Sequence, residues 1–262
     1  MSHVKDATVP VKRLLNVKQR WGLLKSLWIY RRPGRLSGLT SLYGPLVPNE
    51  GLVFDVGAHL GDRTRAFRRL GARVVAVEPQ AGPLAWLRRF HGRDSGVTIE
   101  ALAIGSRAGR AELAISPGHP SVATLSARWI DEVRAHHGGF DHVHWSEQVG
   151  VDVITLDALI ARHGRPDFIK LDIEGHEAKA LQGLSEPVAG LSFEFVRGTL
   201  ERTLACLDRI DALGPALYNA VAGEQRAWRW PDWQPSAALR VWLNEGADGL
   251  ASGDIYARME TG

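Results

Sequence analysis

From Gly51 onward, short apolar segments alternate with segments of helical periodicity, and this alternation restricts the possible folds more than any other feature. LVFDV, ARVVAV and DFIKLDI are typical of buried strands, whereas DRTRAFRRLG and EGHEAKALQGL are typical of helices. Strands that alternate with helices imply a parallel sheet with right-handed crossovers. Continuous apolar strands imply that helices cover both faces of that sheet. We therefore predict an α/β, doubly wound, Rossmann-like fold with a mostly parallel sheet.

The alternation is interrupted in two places, and these define the predicted organisation of the 262-residue chain. Residues 1–48 are predicted to form an N-terminal amphipathic helical extension. Residues 49–262 are predicted to form one domain with an insert at about 116–150. The third strand of this domain is expected to cover GVTIEALAI, and a further strand, AELAIS, leads into the insert. Long irregular inserts often carry function.

The N-terminal extension combines apolar and basic residues. Residues 9–32 are expected to form one or two short helices with an apolar side and a basic side. The residues that can gather on the apolar side are Leu14, Leu15, Trp21, Leu24, Leu27 and Trp28. Packing on the domain is the favoured role of this segment. A cap over the active site, a homodimer contact and contact with a membrane surface are the alternatives.

Charge and cysteine content exclude several classes of protein. The formal net charge is +3, but residues 1–35 carry nine basic side chains against Asp6 alone. The rest of the chain is mildly acidic, so we expect no nucleic-acid partner. The single cysteine, Cys206, excludes an internal disulfide and is expected to be buried. The most apolar N-terminal stretch is interrupted by Lys25 and is too short to span a bilayer, so we expect a cytoplasmic protein.

The turn after the first strand indicates which cofactor the domain holds. It runs from Asp55 to Gly61 and has glycines at positions 57 and 61. The middle glycine with which a dinucleotide fold approaches a pyrophosphate is missing. This spacing suits a ligand without a phosphate, such as S-adenosylmethionine, and Glu78 ends the second strand where nucleoside-binding folds place an acid for the ribose. The alternative is that the glycines only permit tight packing and that Glu78 is a solvated strand end.

Five segments between about residues 51 and 195 resemble the successive motifs of the FkbM-type methyltransferases. They are VFDVGAHLGDRT, AVEPQ, EALAIG, VDVITLDALI and FIKLDIEGHEAKALQGL. The closing GDIYAR is also similar, and FIKLDIEGHE is the most specific part. The resemblance implies a class I methyltransferase fold with a seven-stranded sheet and S-adenosyl-L-methionine as methyl donor, with S-adenosylhomocysteine as product. It also implies O-methylation of a hydroxyl on a small molecule, sugar or natural product.

The resemblance assigns roles to particular residues. Those expected to bind the donor are Asp55, Gly57, Ala58, His59, Gly61, Glu78, Pro79 and Ala103. Those expected beside the transferred methyl are Asp172, Glu174 and His176. The chain departs from the family pattern at His59, where asparagine is common, and at Ala81, where proline is common.

Methyl transfer to an alcohol needs an aligned acceptor and a group that takes its proton. Asp172 and Glu174 lie close together in sequence at the end of a strand. Two neighbouring carboxylates raise the pKa of one of them, which makes it a better base, or they bind a divalent ion. Base catalysis or substrate positioning is favoured over a divalent metal, and no residue is assigned to a metal.

Three further features are less specific. Glu194 lies in an otherwise apolar strand and is expected at the edge of the site. The insert contains five histidines, which are expected to form a solvated or substrate-facing loop instead of a metal site: His119, His136, His137, His142 and His144. The cluster of Trp228, Trp230 and Trp233 is expected to pack over the sheet, with a stacking wall for the acceptor as the alternative.

Two other classes of function remain as alternatives. One is an NAD(P)-dependent oxidoreductase on the same kind of sheet, against which the missing middle glycine argues. The other is a non-catalytic binding protein that retains the fold. The favoured partner is a small-molecule or glycan acceptor.

Overall fold

The computed structural model describes residues 17–136, 138–223 and 225–259. The helices are α1 (Val17–Tyr30), α2 (Arg35–Tyr43), α3 (Asp62–Arg69), α4 (Ala81–His91), α5 (Ala127–His136), α6 (Leu156–His163), α7 (Glu177–Leu181), α8 (Leu200–Leu213) and α9 (Ser236–Asn244). The strands are β1 (Leu52–Val56), β2 (Arg73–Val77), β3 (Val97–Glu100), β4 (Ala103–Ile104), β5 (Gly109–Ile115), β6 (Glu147–Ile154), β7 (Phe168–Leu171), β8 (Gly190–Val196), β9 (Ala216–Ala222), β10 (Gln234–Pro235) and β11 (Ser252–Met259). Short 3-10 helices cover Pro120–Val122, Gly138–Phe140 and Ala247–Gly249.

Eight strands form the main sheet in the order β10-β9-β11-β8-β7-β1-β2-β3. Neighbours from β8 to β3 run parallel, whereas β11 is antiparallel to both β8 and β9. The α/β, mostly parallel architecture is therefore confirmed. The predicted number of seven strands is wrong by one, because the short β10 pairs with β9 at the edge. A strand of two residues carries too little periodicity to be predicted.

The strand order reverses at β1. From β1 the chain continues outward to β2 and β3 on one side, and later returns to place β7 and β8 on the other side. In open α/β sheets, ligands bind outside the carboxyl ends of the strands at such a reversal. A ligand site is therefore expected at the residues that follow Val56, Val77 and Leu171.

A second, three-stranded sheet has the order β4-β6-β5. It corrects the prediction that GVTIEALAI forms one strand, because the chain leaves the main sheet after Glu100 and Ala103 pairs with Val153 of β6. The predicted insert at 116–150 is also too long at its C-terminal end. Strand β6 already begins at Glu147, where its ladder with Ile115 of β5 starts.

Both faces of the main sheet are covered by apolar packing, as the continuous apolar strands predicted. Phe54 packs in the cluster on one face, and Val53 packs on the other face with Phe67 and Phe168. Cys206 is buried in the first of these clusters, which confirms its expected role as a core residue. The site at the carboxyl edge is thus held between two well-packed layers.

The N-terminal extension forms α1 and α2, and the part of the helical prediction that covers residues 9–16 lies outside the described residues. Helix α1 packs on α4 and on the 3-10 helix Pro120–Val122. Its packed side includes Leu23, which is buried. The prediction that Trp21, Leu24 and Trp28 form the packed side is wrong, because all three are exposed. None of the helices in the described part of the chain is long and apolar enough to cross a membrane.

The insert is held by an aromatic cluster around Trp129 of α5. The Trp129 ring meets the rings of Phe140 and Trp145 in edge contacts, with centroids 5.5 and 5.9 Å apart. His119 and His142 are also in ring contact, at 4.7 Å. His137 lies outside the described residues. Among the described residues, none of the insert histidines belongs to a group with metal-ligand geometry.

The three C-terminal tryptophans pack against the protein, as expected. Trp228 makes an edge contact with Tyr256 at 4.9 Å, and Trp230 makes one with Trp242 at 5.1 Å. Trp233 contacts Trp228 and lies under the guanidinium of Arg258. These contacts indicate a structural role, and the alternative of a stacking wall for the acceptor gains no support.

Candidate active site

Two adjoining clefts open at the carboxyl edge of the sheet. The first, which we call the donor cleft, encloses about 530 Å³ including its mouth. Eight of the residues predicted from the sequence line it: Gly57, His59, Glu78, Pro79, Ala103, Asp172, Glu174 and His176. The other three lie elsewhere, since Asp55 and Ala58 line the second cleft and Gly61 lines a separate pocket near His91.

The glycine turn after β1 is shaped by the protein's own backbone. The amides of Gly57 and Ala58 both donate to the carbonyl of Val77 at 3.0 Å. Gly57 has φ of 80°, and a Cβ there would overlap the carbonyl oxygen of Asp172. Glycine is therefore required at 57 so that the ends of β1 and β7 can meet. A Cβ on Gly61 would likewise lie 2.6 Å from the ring of His91, so Gly61 serves packing.

Glu78 is buried at the end of β2, and its carboxylate belongs to the wall of the donor cleft. One carboxylate oxygen accepts the amide of His59 at 2.9 Å, and the other accepts the amide of Gln80 at 2.8 Å. Burial raises the pKa of Glu78 to about 7, although both amides lower it. A carboxylate has about four lone-pair sites, and the Gln80 side chain also interacts with this one, so at least one site remains for a ligand. The alternative that Glu78 is a solvated strand end is wrong.

Three carboxyl groups meet where the two clefts join. Asp172, Glu174 and Glu194 each have a carboxylate oxygen that lies within 4.8 Å of a carboxylate oxygen of the other two. The expectation that Glu194 faces the site edge agrees with this placement. Glu174 adopts φ of 52°, which is uncommon for a side chain of its type, and the hydroxyl of Thr124 donates to its carbonyl at 2.6 Å. The turn after β7 is thus held by the insert.

The three carboxyl groups do not share one protonation state. Burial disfavours the charge of Asp172, but the ammonium group of buried Lys170 donates to its carboxylate and lowers its pKa overall. Burial and the mutual repulsion of the acids raise the pKa of both Glu174 and Glu194. Asp172 therefore loses its proton more readily than Glu174 and Glu194 do.

The two histidines of the site are neutral near physiological pH. Burial lowers the pKa of His59 and that of His176 to about 4 each. The Nδ1 of His59 is 3.1 Å from the hydroxyl of Tyr30, and its buried Nε2 has no partner among the described residues. A neutral imidazole can accept or donate a hydrogen bond, so His59 offers a polar contact to a ligand.

Asp55, which the sequence placed at the donor turn, holds the turn instead of facing the donor cleft. It is buried in β1, and it accepts a hydrogen bond from the hydroxyl of Thr64 in α3 at 2.5 Å. Burial raises its pKa. This contact ties the start of α3 to the strand.

The second cleft, which we call the acceptor cleft, encloses about 1130 Å³ including open space. It shares Gly57, His59, Ser121, Asp172 and Glu174 with the donor cleft. Sequence reasoning missed Tyr30, Arg63 and Asp254 in its wall. Arg63 lies in the segment VFDVGAHLGDRT and Asp254 lies in GDIYAR, and both segments had been recognised by their resemblance to the family. Tyr30 comes from a distant part of the chain and carried no local signal.

One protein family model and several solved structures match this chain. The sequence model of the methyltransferase FkbM domain matches residues 55–204, more than half of the chain. No curated protein matches the sequence. A TehB-like SAM-dependent methyltransferase from Corynebacterium glutamicum is 13% identical, with a TM-score of 0.45, over 92% of this chain and 95% of that one. An O-methyltransferase from Bacillus cereus, solved in complex with SAH, is 12% identical, with a TM-score of 0.44, over 95% of this chain and 94% of that one.

Proposed function

This chain belongs to the FkbM methyltransferase domain family, and from that premise we propose that it transfers the methyl group of S-adenosylmethionine to a hydroxyl oxygen of a small molecule, sugar or natural product. The observation that carries the choice of oxygen is the carboxyl cluster at the junction of the two clefts. An alcohol must lose its proton on methylation, and a carboxylate at the point of transfer can accept it.

The residues of the donor cleft fit an adenosyl sulfonium. Glu78 offers its remaining lone pairs to ribose hydroxyls, and the wall formed by Leu102, Ala103 and Leu125 suits an adenine ring. The cleft volume is within the range of about 300–1,000 Å³ that small-molecule sites have. The bound donor supplies an activated methyl on a positively charged sulfur. This chemistry fits the family better than the oxidoreductase alternative does.

The acceptor side requires alignment and proton transfer. Asp172 is kept ionised by Lys170, so it can orient the acceptor hydroxyl or take its proton. Glu174 and Glu194 stand beside it and can pass the proton onward. Positioning supplies most of the rate in such a displacement, and the base adds roughly 10²–10⁴-fold.

The first experiment measures S-adenosylhomocysteine binding by calorimetry to the wild type, to Glu78→Gln and to Glu245→Gln, an exposed residue far from the site. Wild type and Glu245→Gln should bind alike, and Glu78→Gln should bind at least tenfold more weakly. Gly57→Val is unsuitable, because its side chain would overlap the carbonyl oxygen of Asp172 whether or not a donor binds there. No binding by folded wild-type protein would contradict the donor assignment.

The second experiment identifies the acceptor atom. Hydroxylated and aminated small molecules are screened for homocysteine release, and the methylated product is examined by NMR. A new O-methyl resonance, lost in Asp172→Asn, supports the proposal. Methylation only at nitrogen or carbon would still support a methyltransferase, but it would contradict the proposal that oxygen is the acceptor atom.

A further inference from the structure

The outer side of α1 carries exposed residues that the proposed function does not use. Trp21, Leu24 and Trp28 are 70%, 47% and 65% exposed. Their spacing of three and four residues places them on one side of the helix. Arg31 and Arg32 follow and are exposed, and the guanidinium of Arg32 lies 4.2 Å from the centroid of the Trp28 ring. We call these five residues the Trp-Arg stripe.

Apart from the guanidinium of Arg31, which also lies 5.2 Å from the centroid of the Phe90 ring in α4, the stripe is not the surface through which α1 packs on the protein. The opposite side contains buried Leu23, and it also contains Gly22, whose Cβ position would be filled by the carbonyl of Gly118. Ser26 and Tyr30 of the same side line the acceptor cleft. The helix is therefore already anchored, and its stripe faces outward as a preformed surface.

We propose that the Trp-Arg stripe docks the protein on an anionic membrane surface. Tryptophan and leucine enter the boundary between headgroups and acyl chains, where the indole keeps its polar N–H in contact with water. Arginines beside them pair with lipid phosphates. The sequence adds to this attraction, because residues 1–34 carry eight basic side chains, Arg31 and Arg32 among them, and one acidic one.

Charge favours a membrane over a second copy of this chain. A two-fold contact buries the same patch on both subunits, so both copies of Arg31 and Arg32 would enter one interface to which the stripe brings no acidic residue. Like charges at close range oppose such a contact. A nucleic acid would satisfy the arginines, but it has no place for an exposed Leu24, and most of its affinity comes from phosphate contacts.

The test is co-sedimentation of full-length protein with vesicles of phosphatidylcholine alone and with 30% phosphatidylserine, at low and high salt. Trp21→Ser/Trp28→Ser is compared with the wild type and with Leu217→Ser/Val241→Ser, which removes two exposed apolar side chains elsewhere. Arg31→Gln/Arg32→Gln tests the charge contribution. Circular dichroism and S-adenosylhomocysteine binding confirm that each variant is folded.

Wild type and Leu217→Ser/Val241→Ser should bind the anionic vesicles alike, more weakly at high salt. The tryptophan pair should reduce the partition coefficient at least tenfold, and the arginine pair on the order of tenfold on anionic vesicles. Absence of wild-type binding, or binding that the tryptophan pair leaves unchanged, overturns the proposal. The proposal is also overturned if the stripe is needed for dimerisation or for RNA binding and the protein does not bind vesicles. Binding of S-adenosylhomocysteine is measured separately, so a failure of the proposed function can be distinguished from a failure of membrane binding.

Discussion

Lys170 is the residue on which the charge balance of the site depends. It is 2% exposed and donates to the carboxylate of Asp172. Without its ammonium group, burial would be opposed by fewer charges and the pKa of Asp172 would be higher. The ionised carboxylate that the proposed mechanism uses is therefore maintained by a neighbouring lysine and not by solvent.

We expect Lys170→Met to lower kcat and to shift the acidic limb of its pH profile to higher pH, because Asp172 then loses its proton less readily. Breaking a buried pair costs about 3–5 kcal/mol, and roughly half of that is expected here because the Asp172 side chain is one-third exposed (33%). Kinetics from pH 5 to 9 and urea unfolding measure both effects. An unshifted profile in a folded variant would show that Asp172 takes no part in proton transfer.

We expect Glu78 to make donor binding dependent on pH. Its pKa is raised to about 7, and the ionised form is the better acceptor for ribose hydroxyls. The affinity for S-adenosylhomocysteine should therefore increase as the pH rises towards 7 and level off above it. A hydrogen bond to a charged group is worth about 1.5–3 kcal/mol, which predicts a change of roughly 10- to 100-fold. Calorimetry at several pH values tests this, with Glu78→Gln expected to show a flat profile.

Residues that belong to local motifs could be predicted, and residues brought in by the fold could not. Glu78, Asp172 and Glu174 follow strands, so the sequence placed them at the carboxyl edge. Glu194 was visible as a lone charge in an apolar strand. Tyr30 reaches the acceptor cleft through the packing of α1, and its contact with His59 spans 29 positions in the sequence.

At the level of elements, the insert supports the turn that carries Glu174. The Trp129 ring of α5 occupies the space that a Cβ on Gly175 would need, directly after Glu174. Thr124 donates to the carbonyl of Glu174 from the same insert. The sequence could not show that α5 packs beneath the turn, because no local signal encodes a contact 46 positions away.

Trp129→Ala should therefore impair activity as well as stability. Removal of a buried tryptophan costs about 3–5 kcal/mol, since Trp129 is 1% exposed and packed among aromatic rings. Because the turn that carries Glu174 loses its support, kcat should fall more than donor affinity. Trp129→Phe is the matched variant and should retain more of both. Equal losses of kcat and donor affinity would argue against a specific role at the turn.

Sequence periodicity does not show where one apolar segment is divided between two sheets. GVTIEALAI reads as one apolar strand, yet β3 and β4 belong to different sheets. The backbone turns after Glu100, whose carbonyl accepts the amide of Glu78 and whose carboxylate meets His163. Beyond this point the chain leaves the main sheet, and Ala103 lies in the wall of the donor cleft.

For the whole molecule, the buried acids make stability depend on pH. Glu78 and Glu177 have pKa values raised to about 7 by burial, and those of Glu174 and Glu194 are also raised. Below its unfolded pKa of 4.5, each carboxyl is protonated in both states. As the pH rises, the unfolded chain loses these protons first, so the folded state becomes less favoured until its own groups ionise.

The buried histidines act in the opposite direction over a lower range. The pKa values of His59 and His176 are about 4 when folded and 6.5 when unfolded, so their effect raises stability as the pH rises from 4 to 6.5 and then stops. Above pH 6.5 only the acids contribute. The free energy of unfolding of the ligand-free protein should therefore fall between pH 6.5 and 8, measured by urea denaturation. Glu194→Gln should make this decline less steep, because an amide has no proton to lose. A decline as steep as that of the wild type would show that Glu194 is already ionised in the folded protein.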